Sequence, residues 1–425
     1  MSGPVSVLRC EACAAEYAEL DARTTCACGG LLSVEHRNVG DHGAALRAKF
    51  ALRRGVVSHD PADSSGVWRY RELVMPTMER AVSHPEGNTP LLHSSRVASW
   101  AGVRQLRLKH EGHNPTGSFK DRGMTVAITQ ALRVGARAVG CASTGNTSAS
   151  LAAYAALGGL RALVLVPEGQ IALGKLAQTL AYGARTLAVR GSFDACLQLV
   201  RDAQRALGVY LVNSVNPWRI EGQKTIVAEL LEQLDWDAPD WIAVPAGNLG
   251  NTAAFGKALR ELYELRLIAR VPRLAAIQAA GAAPFAASFA GDFKERVKVE
   301  PQTVASAIRI GDPASFDRAV SAIRSTNGVV VAVPDEALLE AKAIIDNSGI
   351  GCEPASAASV AGVRELVRQN VIRPDDRIVA VLTGHLLKDP EAILRPRAEA
   401  AAQVNHPITI APTVAALEAA AFASA

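Results

Sequence analysis

No apolar run in the 425 residues is long enough to span a bilayer, which argues against an integral membrane protein. Nor is there a cluster of Lys and Arg. The formal net charge of +4 is dispersed, so neither nucleic acid nor a membrane surface is an expected partner. The first residues, MSGPVSVLRCEACAAEY, lack a basic start leading into an apolar core, so no secretory signal is expected. Thiols without an export signal point to the cytoplasm. Fixed-period repeats are missing, and the only biased stretch is an Ala-rich C-terminus that reads as helix. Aromatic residues are few, at 5%, and charged residues stand at 20% beside abundant Ala and Gly. That balance describes a soluble α/β enzyme with closely packed helices. Its length suits two lobes and a short appendage.

From Gln105 onward the pattern is rhythmic. QLRLK, AVGCA, RALVLVP, RTLAV and VYLV read as strands separated by helical segments, among them Ser118 to Val134 and NTSASLAAYAAL. A second series follows: the helix TIVAELLEQL, the strand WIAVP, a helix through AAFGKALREL, then the strands RLAAIQ, VVVAV and RIVAVL. Short apolar strands alternating with helices imply βαβ units and parallel sheets covered on both faces. Two series imply two lobes, with ligands beyond the carboxyl ends of the strands. Residues 41–95 read as helical or irregular.

Polar turns fall where strands finish: NPTGSFK after QLRLK, STGN after AVGCA, GNLGN after WIAVP and TGHLLKD after RIVAVL. Glycine lets backbone approach a ligand, and helix N-termini offer unpaired N–H groups to an anion. Any one of these turns could equally be an ordinary helix cap. GNLGN does not complete G-x-G-x-x-G, and G-x-x-x-x-G-K-[ST] occurs nowhere, so NAD and ATP enzymes of those types are not expected. Lys120 decides between the readings. A lysine at the start of a helix opposes the helix dipole. Set among apolar walls and other positive groups, its pKa falls and its amine becomes a nucleophile able to form a Schiff base with an aldehyde. For pyridoxal 5′-phosphate, GNLGN offers a phosphate cup, Thr383 a partner for the ring nitrogen and Asn146 a partner for the ring hydroxyl.

With those residues in view, the chain resembles the pyridoxal-phosphate enzymes of the tryptophan-synthase β-like fold (fold type II), and among them the threonine synthase family. The resemblance runs from about residue 85 and rests on GNTPL, NPTGSFKDRG, STGNTSAS, NSVNPWRIEGQKT, PAGNLGN, AIRIGDP, EPASAAS and TGHLLKDP. It implies a two-lobed α/β protein with two open, mostly parallel sheets flanked by helices and a small N-terminal cysteine knuckle. The implied domains are the knuckle at 1–40, a large cofactor-binding domain at 41–112 with 214–425, and a smaller one at 113–213. Lys120 would hold the cofactor and move protons. Asn146 would face the ring oxygen, Gly247, Asn248, Leu249, Gly250 and Asn251 the phosphate, and Thr383 the ring nitrogen. Ser143, Thr144 and Thr147 would meet the substrate's carboxylate or phosphate. Ser214, Asn216 and Arg219 would form a second anion pocket for O-phosphohomoserine, where a guanidinium can take two phosphate oxygens at once. The implied reaction releases phosphate from the γ carbon and adds water at the β carbon, and a homodimer is the implied assembly. Leu386 departs from the TGHGLKD that the family often shows, and it is expected to narrow the Thr383 turn slightly.

Cys10, Cys13, Cys26 and Cys28 give C-x₂-C, twelve residues, then C-x-C. Four thiolates suit a structural zinc, although the second pair is tighter than in a usual ribbon; reduced thiols in a small knuckle are the alternative. Competing functions share the same lysine. A cysteate synthase would act on phosphoserine and sulfite, and a threonine or serine dehydratase on unphosphorylated amino acids. A metal-ribbon binding module with an inert body is the reading from another class.

Overall fold

The apolar segments read as strands above are strands in the computed structural model, which describes residues 5–37, 40–54, 61–169, 173–390, 392 and 409–421. Three sheets form. β1 (Ser6–Cys10), β2 (Glu16–Ala18) and β3 (Leu32–His36) make an antiparallel sheet in the order β2-β1-β3. β4 (Leu91–His93), β5 (Gln105–His110), β10 (Trp241–Pro245), β11 (Arg273–Ala279), β12 (Val329–Val333) and β13 (Arg377–Leu382) make the largest sheet, ordered β12-β11-β10-β13-β5-β4. β6 (Ala138–Ala142), β7 (Arg161–Pro167), β8 (Arg185–Val189) and β9 (Val209–Leu211) make a parallel sheet ordered β8-β7-β6-β9.

Only β4 runs against its neighbours in the largest sheet, pairing Leu91 with Lys109 and His93 with Arg107. Its three residues are too few to carry a period, so it falls inside the stretch read as irregular. The order β10-β13-β5 matters for function. These three strands are adjacent and parallel, with Ala380 paired to both Ala243 and Leu108, so their carboxyl ends and following turns lie side by side.

Helices flank both parallel sheets, as buried strands require. The helix Pro217–Gln233 starts earlier than its apolar spacing suggests. Asn216 caps it by accepting from Trp218 N at 3.0 Å, and Pro217 occupies the first helical position, where a missing N–H costs nothing. The knuckle is not a separate body. Leu8, Leu32 and Val34 are fully buried in the same core cluster as Trp218 and Phe255. The chain through Lys388 is one compact unit. The segment from Asp389 is a unit of its own, whose described part includes the helix Val414–Ala421. Among the described residues, no helix is long and apolar enough to cross a membrane.

Candidate active site

Lys120 is the first residue of the helix Lys120–Arg133, which follows the turn after β5. That turn is laced to the one after β13. Phe119 N donates to the Thr383 carbonyl at 3.0 Å, His385 N donates to Gly117 O at 2.9 Å, and Ser118 pairs with Gly384. Backbone bonds therefore set Lys120 beside Thr383.

A helix crossing sets it beside Arg219. A Cβ on Gly222 would overlap the Arg122 carbonyl oxygen, and one on Gly123 would come within 2.8 Å of the Arg219 carbonyl oxygen. The helices Lys120–Arg133 and Pro217–Gln233 thus touch backbone to backbone, which only glycine allows. Buried ion pairs hold the crossing: Arg122 Nε to Glu111 at 2.7 Å, Arg122 Nη2 to Glu229 at 2.8 Å, and Lys109 Nζ to Glu229 at 2.6 Å. Burial alone would raise the Glu229 pKa, but Arg122 and Lys109 hold this carboxyl below the usual range.

Lys120 is partly accessible, yet its amine lies over the Phe119 ring at 4.1 Å and is pushed down to about 7. Burial is the main cause, the Arg219 charge adds to it, and Glu353 opposes both. A neutral amine at physiological pH is a nucleophile and a base.

Arg219 is buried and donates Nη1 to the Val212 carbonyl at 3.2 Å. Among the described residues its Nε and Nη2 have no hydrogen-bond partner, and burial pushes the guanidinium down to about 10. A desolvated cation with two open donor nitrogens is a receptor for an oxyanion.

The GNLGN turn leaves β10 and starts the helix Gly250–Glu264, with Leu249 buried at φ +63°. A buried leucine in the left-handed region costs roughly 1–3 kcal/mol, strain that accumulates at ligand sites. The first N–H groups of that helix have no intrahelical acceptor. The Asn248 side chain is engaged in building the turn. It donates to Ser214 Oγ at 2.7 Å and accepts from Ala314 N at 2.6 Å. Asn251 Oδ1, Thr252 Oγ1, Gln223 Oε1 and Ser315 Oγ are buried without a partner among the described residues. The Thr252 and Ser315 hydroxyls can donate and, with the N–H groups of the helix terminus, fit a phosphate, whereas the two amide oxygens only accept.

The turn after β6 carries Ser143 and Thr144, and Asn146 and Thr147 lie in the first turn of the helix Asn146–Leu157; all four are partly accessible. Ser143 Oγ accepts from Gly145 N at 3.2 Å. Asn146 Nδ2 donates to the Glu353 carboxylate at 3.0 and 3.3 Å. Thr383 Oγ1 lies 3.0 Å from Ser356 Oγ. Leu386 packs over Gly351, where a Cβ would overlap it; its side chain lies against that loop.

Asn216 differs from the ligand role that the resemblance implies. Its Oδ1 is the helix cap and its Nδ2 donates to Leu211 O at 2.7 Å, so the amide holds the helix that carries Arg219. Sequence reasoning did not single out Gln223, Thr252, Ser315, Glu353 and Ser356. Gln223 sits within NSVNPWRIEGQKT, and Glu353 and Ser356 within EPASAAS, so the motifs held the signal but their buried partners did not show.

Apart from this site, the four knuckle sulfurs lie within 4.8 Å of one another, with Cys10–Cys28 and Cys13–Cys26 each at 3.6 Å. Gly29 at φ +86° turns the tight C-x-C loop, and a Cβ on Gly30 would come within 2.8 Å of Cys10 Sγ.

Residues 82–384 match the family model of pyridoxal-phosphate dependent enzymes, and the chain belongs to that family. It is 44% identical over 392 residues to threonine synthase of Methanocaldococcus jannaschii, covering 91% of this chain and 94% of that one. It is 47% identical over 312 residues to threonine synthase of Mycobacterium tuberculosis, covering 73% and 84%. Among solved structures, threonine synthase from Escherichia coli superposes with a TM-score of 0.67 at 18% identity over 95% of each chain. Maize serine racemase gives 0.63 at 22% identity over 75% of this chain and 92% of the other. These two likenesses speak to the fold alone.

Proposed function

We propose that this chain converts O-phospho-L-homoserine and water to L-threonine and phosphate. The observation that carries the reading is a pair of anion receptors beside one depressed lysine. The strained turn Gly247–Asn251 at a helix N-terminus suits the cofactor's phosphate, and the buried Arg219, with two open donors, suits a second phosphate. Only a phosphorylated substrate needs both, and the curated threonine synthases at 44–47% identity agree with that choice.

Lys120, Asn146, Thr383 and the Gly247–Asn251 backbone would hold pyridoxal phosphate. When bound, the cofactor supplies an aldehyde for the amine and a ring that spreads carbanion charge. Thr383 is a neutral hydroxyl, which suits a ring nitrogen left unprotonated. Lys120 Nζ, basic near neutral pH, takes the α proton of the substrate and returns protons further along its chain. Ser143, Thr144 and Thr147 receive the substrate carboxylate. Arg219, with Ser214 alongside, holds the γ phosphate before and after its release, while Asn216 keeps the Arg219 helix in place.

The same reading gives the knuckle one zinc. Tetrahedral ligation at about 2.3 Å separates sulfurs by roughly 3.8 Å, close to the 3.6 Å pairs here. The Tyr17 hydroxyl, 3.0 Å from Cys26 Sγ, lowers that thiol's pKa and favours the ligating thiolate. A cytoplasmic homodimer completes the reading, and sedimentation velocity checks the assembly. The function itself is tested by incubating purified holoenzyme with O-phosphohomoserine and quantifying phosphate and threonine together. Equal amounts of both support it. Cysteate from phosphoserine plus sulfite, or 2-oxobutyrate or pyruvate from unphosphorylated amino acids, with no threonine formed, would replace it.

A further inference from the structure

Glu353 is buried at the N-terminal end of the helix Pro354–Arg368, where a carboxylate is favoured by the helix dipole. It touches the site from two sides. Its carboxylate accepts from Asn146 Nδ2 at 3.0 and 3.3 Å, and its backbone N donates to the Gly384 carbonyl at 3.0 Å. A Cβ on Gly384 would overlap the carboxylate, so the glycine after Thr383 is what admits it. One turn on, Ser356 Oγ lies 3.0 Å from Thr383 Oγ1 and accepts from Gly384 N at 2.8 Å.

An amide has two N–H bonds and one oxygen, and its flip is set by its partners. Holding one N–H of Asn146 on a carboxylate leaves the other N–H as the group that can face a ring oxygen. Without the carboxylate, the amide could present oxygen to oxygen. We propose that Glu353 is a positioning residue of this site: it fixes the Asn146 amide as a donor toward the cofactor ring's oxygen and sets a negative charge against Gly384, which is bridged to the turn that carries Lys120. This inference rests on the cofactor placement given above. Charged and titratable groups among the described residues that interact with the pair or with its partners include Lys120, Arg219, Lys388, Cys352, Asp121, Lys342 and Asp346. Arg219 and Glu353 act on Lys120 in opposite senses, and the Glu353 charge also acts on Lys388 and Cys352.

The test uses holoenzymes of wild type, Glu353→Gln, Glu353→Ala, Asn146→Ala and the double variant Asn146→Ala/Glu353→Ala. Three readouts are taken: the dissociation constant for pyridoxal phosphate, the pH midpoint of the visible band, and the melting temperature of the cofactor-free protein. Charge-assisted hydrogen bonds are worth roughly tenfold to hundredfold in binding, so Glu353→Ala is expected to weaken cofactor affinity by about that factor. Its band midpoint should move to lower pH, because a negative charge near the lysine nitrogen favours the protonated form. Glu353→Gln keeps an acceptor for Asn146 and loses the charge, so it should retain affinity within about threefold while its midpoint still moves. In the Asn146→Ala background, Glu353→Ala should change affinity little further. A Glu353 that served only the fold would lower the melting temperature and leave both the pH midpoint and the affinity of the folded variants as in wild type; that result overturns the proposal. Equal and additive losses in the double variant also overturn it. If wild type itself shows no visible band, the cofactor placement fails, which is a different outcome.

Discussion

Replacing Arg219 with methionine separates function from stability in an unusual direction. The guanidinium is buried, makes one bond to the Val212 carbonyl and has two nitrogens without partners among the described residues. Hydrogen bonds to a charged group are worth about 1.5–3 kcal/mol each, so two to a substrate phosphate amount to roughly 3–6 kcal/mol. Arg219→Met should therefore lower kcat/KM for O-phosphohomoserine by about 10²- to 10⁴-fold. The variant loses the Val212 bond but sheds a desolvated charge whose unsatisfied groups cost about 1–3 kcal/mol each. Its cofactor-free melting temperature should be no lower than that of wild type, and its visible band should remain. Steady-state kinetics, spectrophotometry and thermal melts on one preparation check all three. An unchanged kcat/KM refutes the substrate-phosphate role. Loss of the band with turnover otherwise spared would mean that the two anion receptors have been exchanged.

At Gly222, alanine would push a methyl group into the Arg122 carbonyl oxygen. The helices must part, so Gly222→Ala should cost about 1–3 kcal/mol or more in denaturant melts and weaken cofactor binding with it. The Lys120 amine, pushed down to about 7 from 10.5, should be modified by acylating reagents in the cofactor-free protein with a half-rise near pH 7, measured by peptide mapping. The sign for stability follows. Between about pH 7 and 10.5 the unfolded chain binds a proton that the native amine does not, so this group's contribution to stability rises with pH through that window, and Lys120→Met removes the rise. Elemental analysis should find one zinc per chain, and Cys26→Ser should lose it; a metal-free wild type that melts at the same temperature with and without added zinc contradicts the ligation.

Much of this is legible in the sequence. AVGCA, RALVLVP, WIAVP and RIVAVL carry enough consecutive apolar residues to mark buried parallel strands, and each is a strand over the same residues. Lys120 was legible because its place at a helix start is physically awkward, which asks for a reason. Other features were not. β4 is too short to show alternation, and the knuckle's share in the main core depends on which residues meet Trp218, a long-range fact. Asn216 illustrates a further limit: an amide in a polar motif reads equally as ligand or cap, and only its bonds to Trp218 and Leu211 separate the two. Glu353 stayed hidden because a carboxylate before a proline looks like any helix start until its contact with Asn146 is seen.

Reduction of the holoenzyme with borohydride, followed by proteolysis and mass spectrometry of the labelled peptide, tests the central claim most directly. The account predicts one pyridoxyl group per chain, on the lysine at position 120, and a colourless protein with no such label when that residue is alanine. A stoichiometric label on another lysine, such as Lys224, Lys257 or Lys388, or no label in a fully folded protein given excess cofactor, would contradict it.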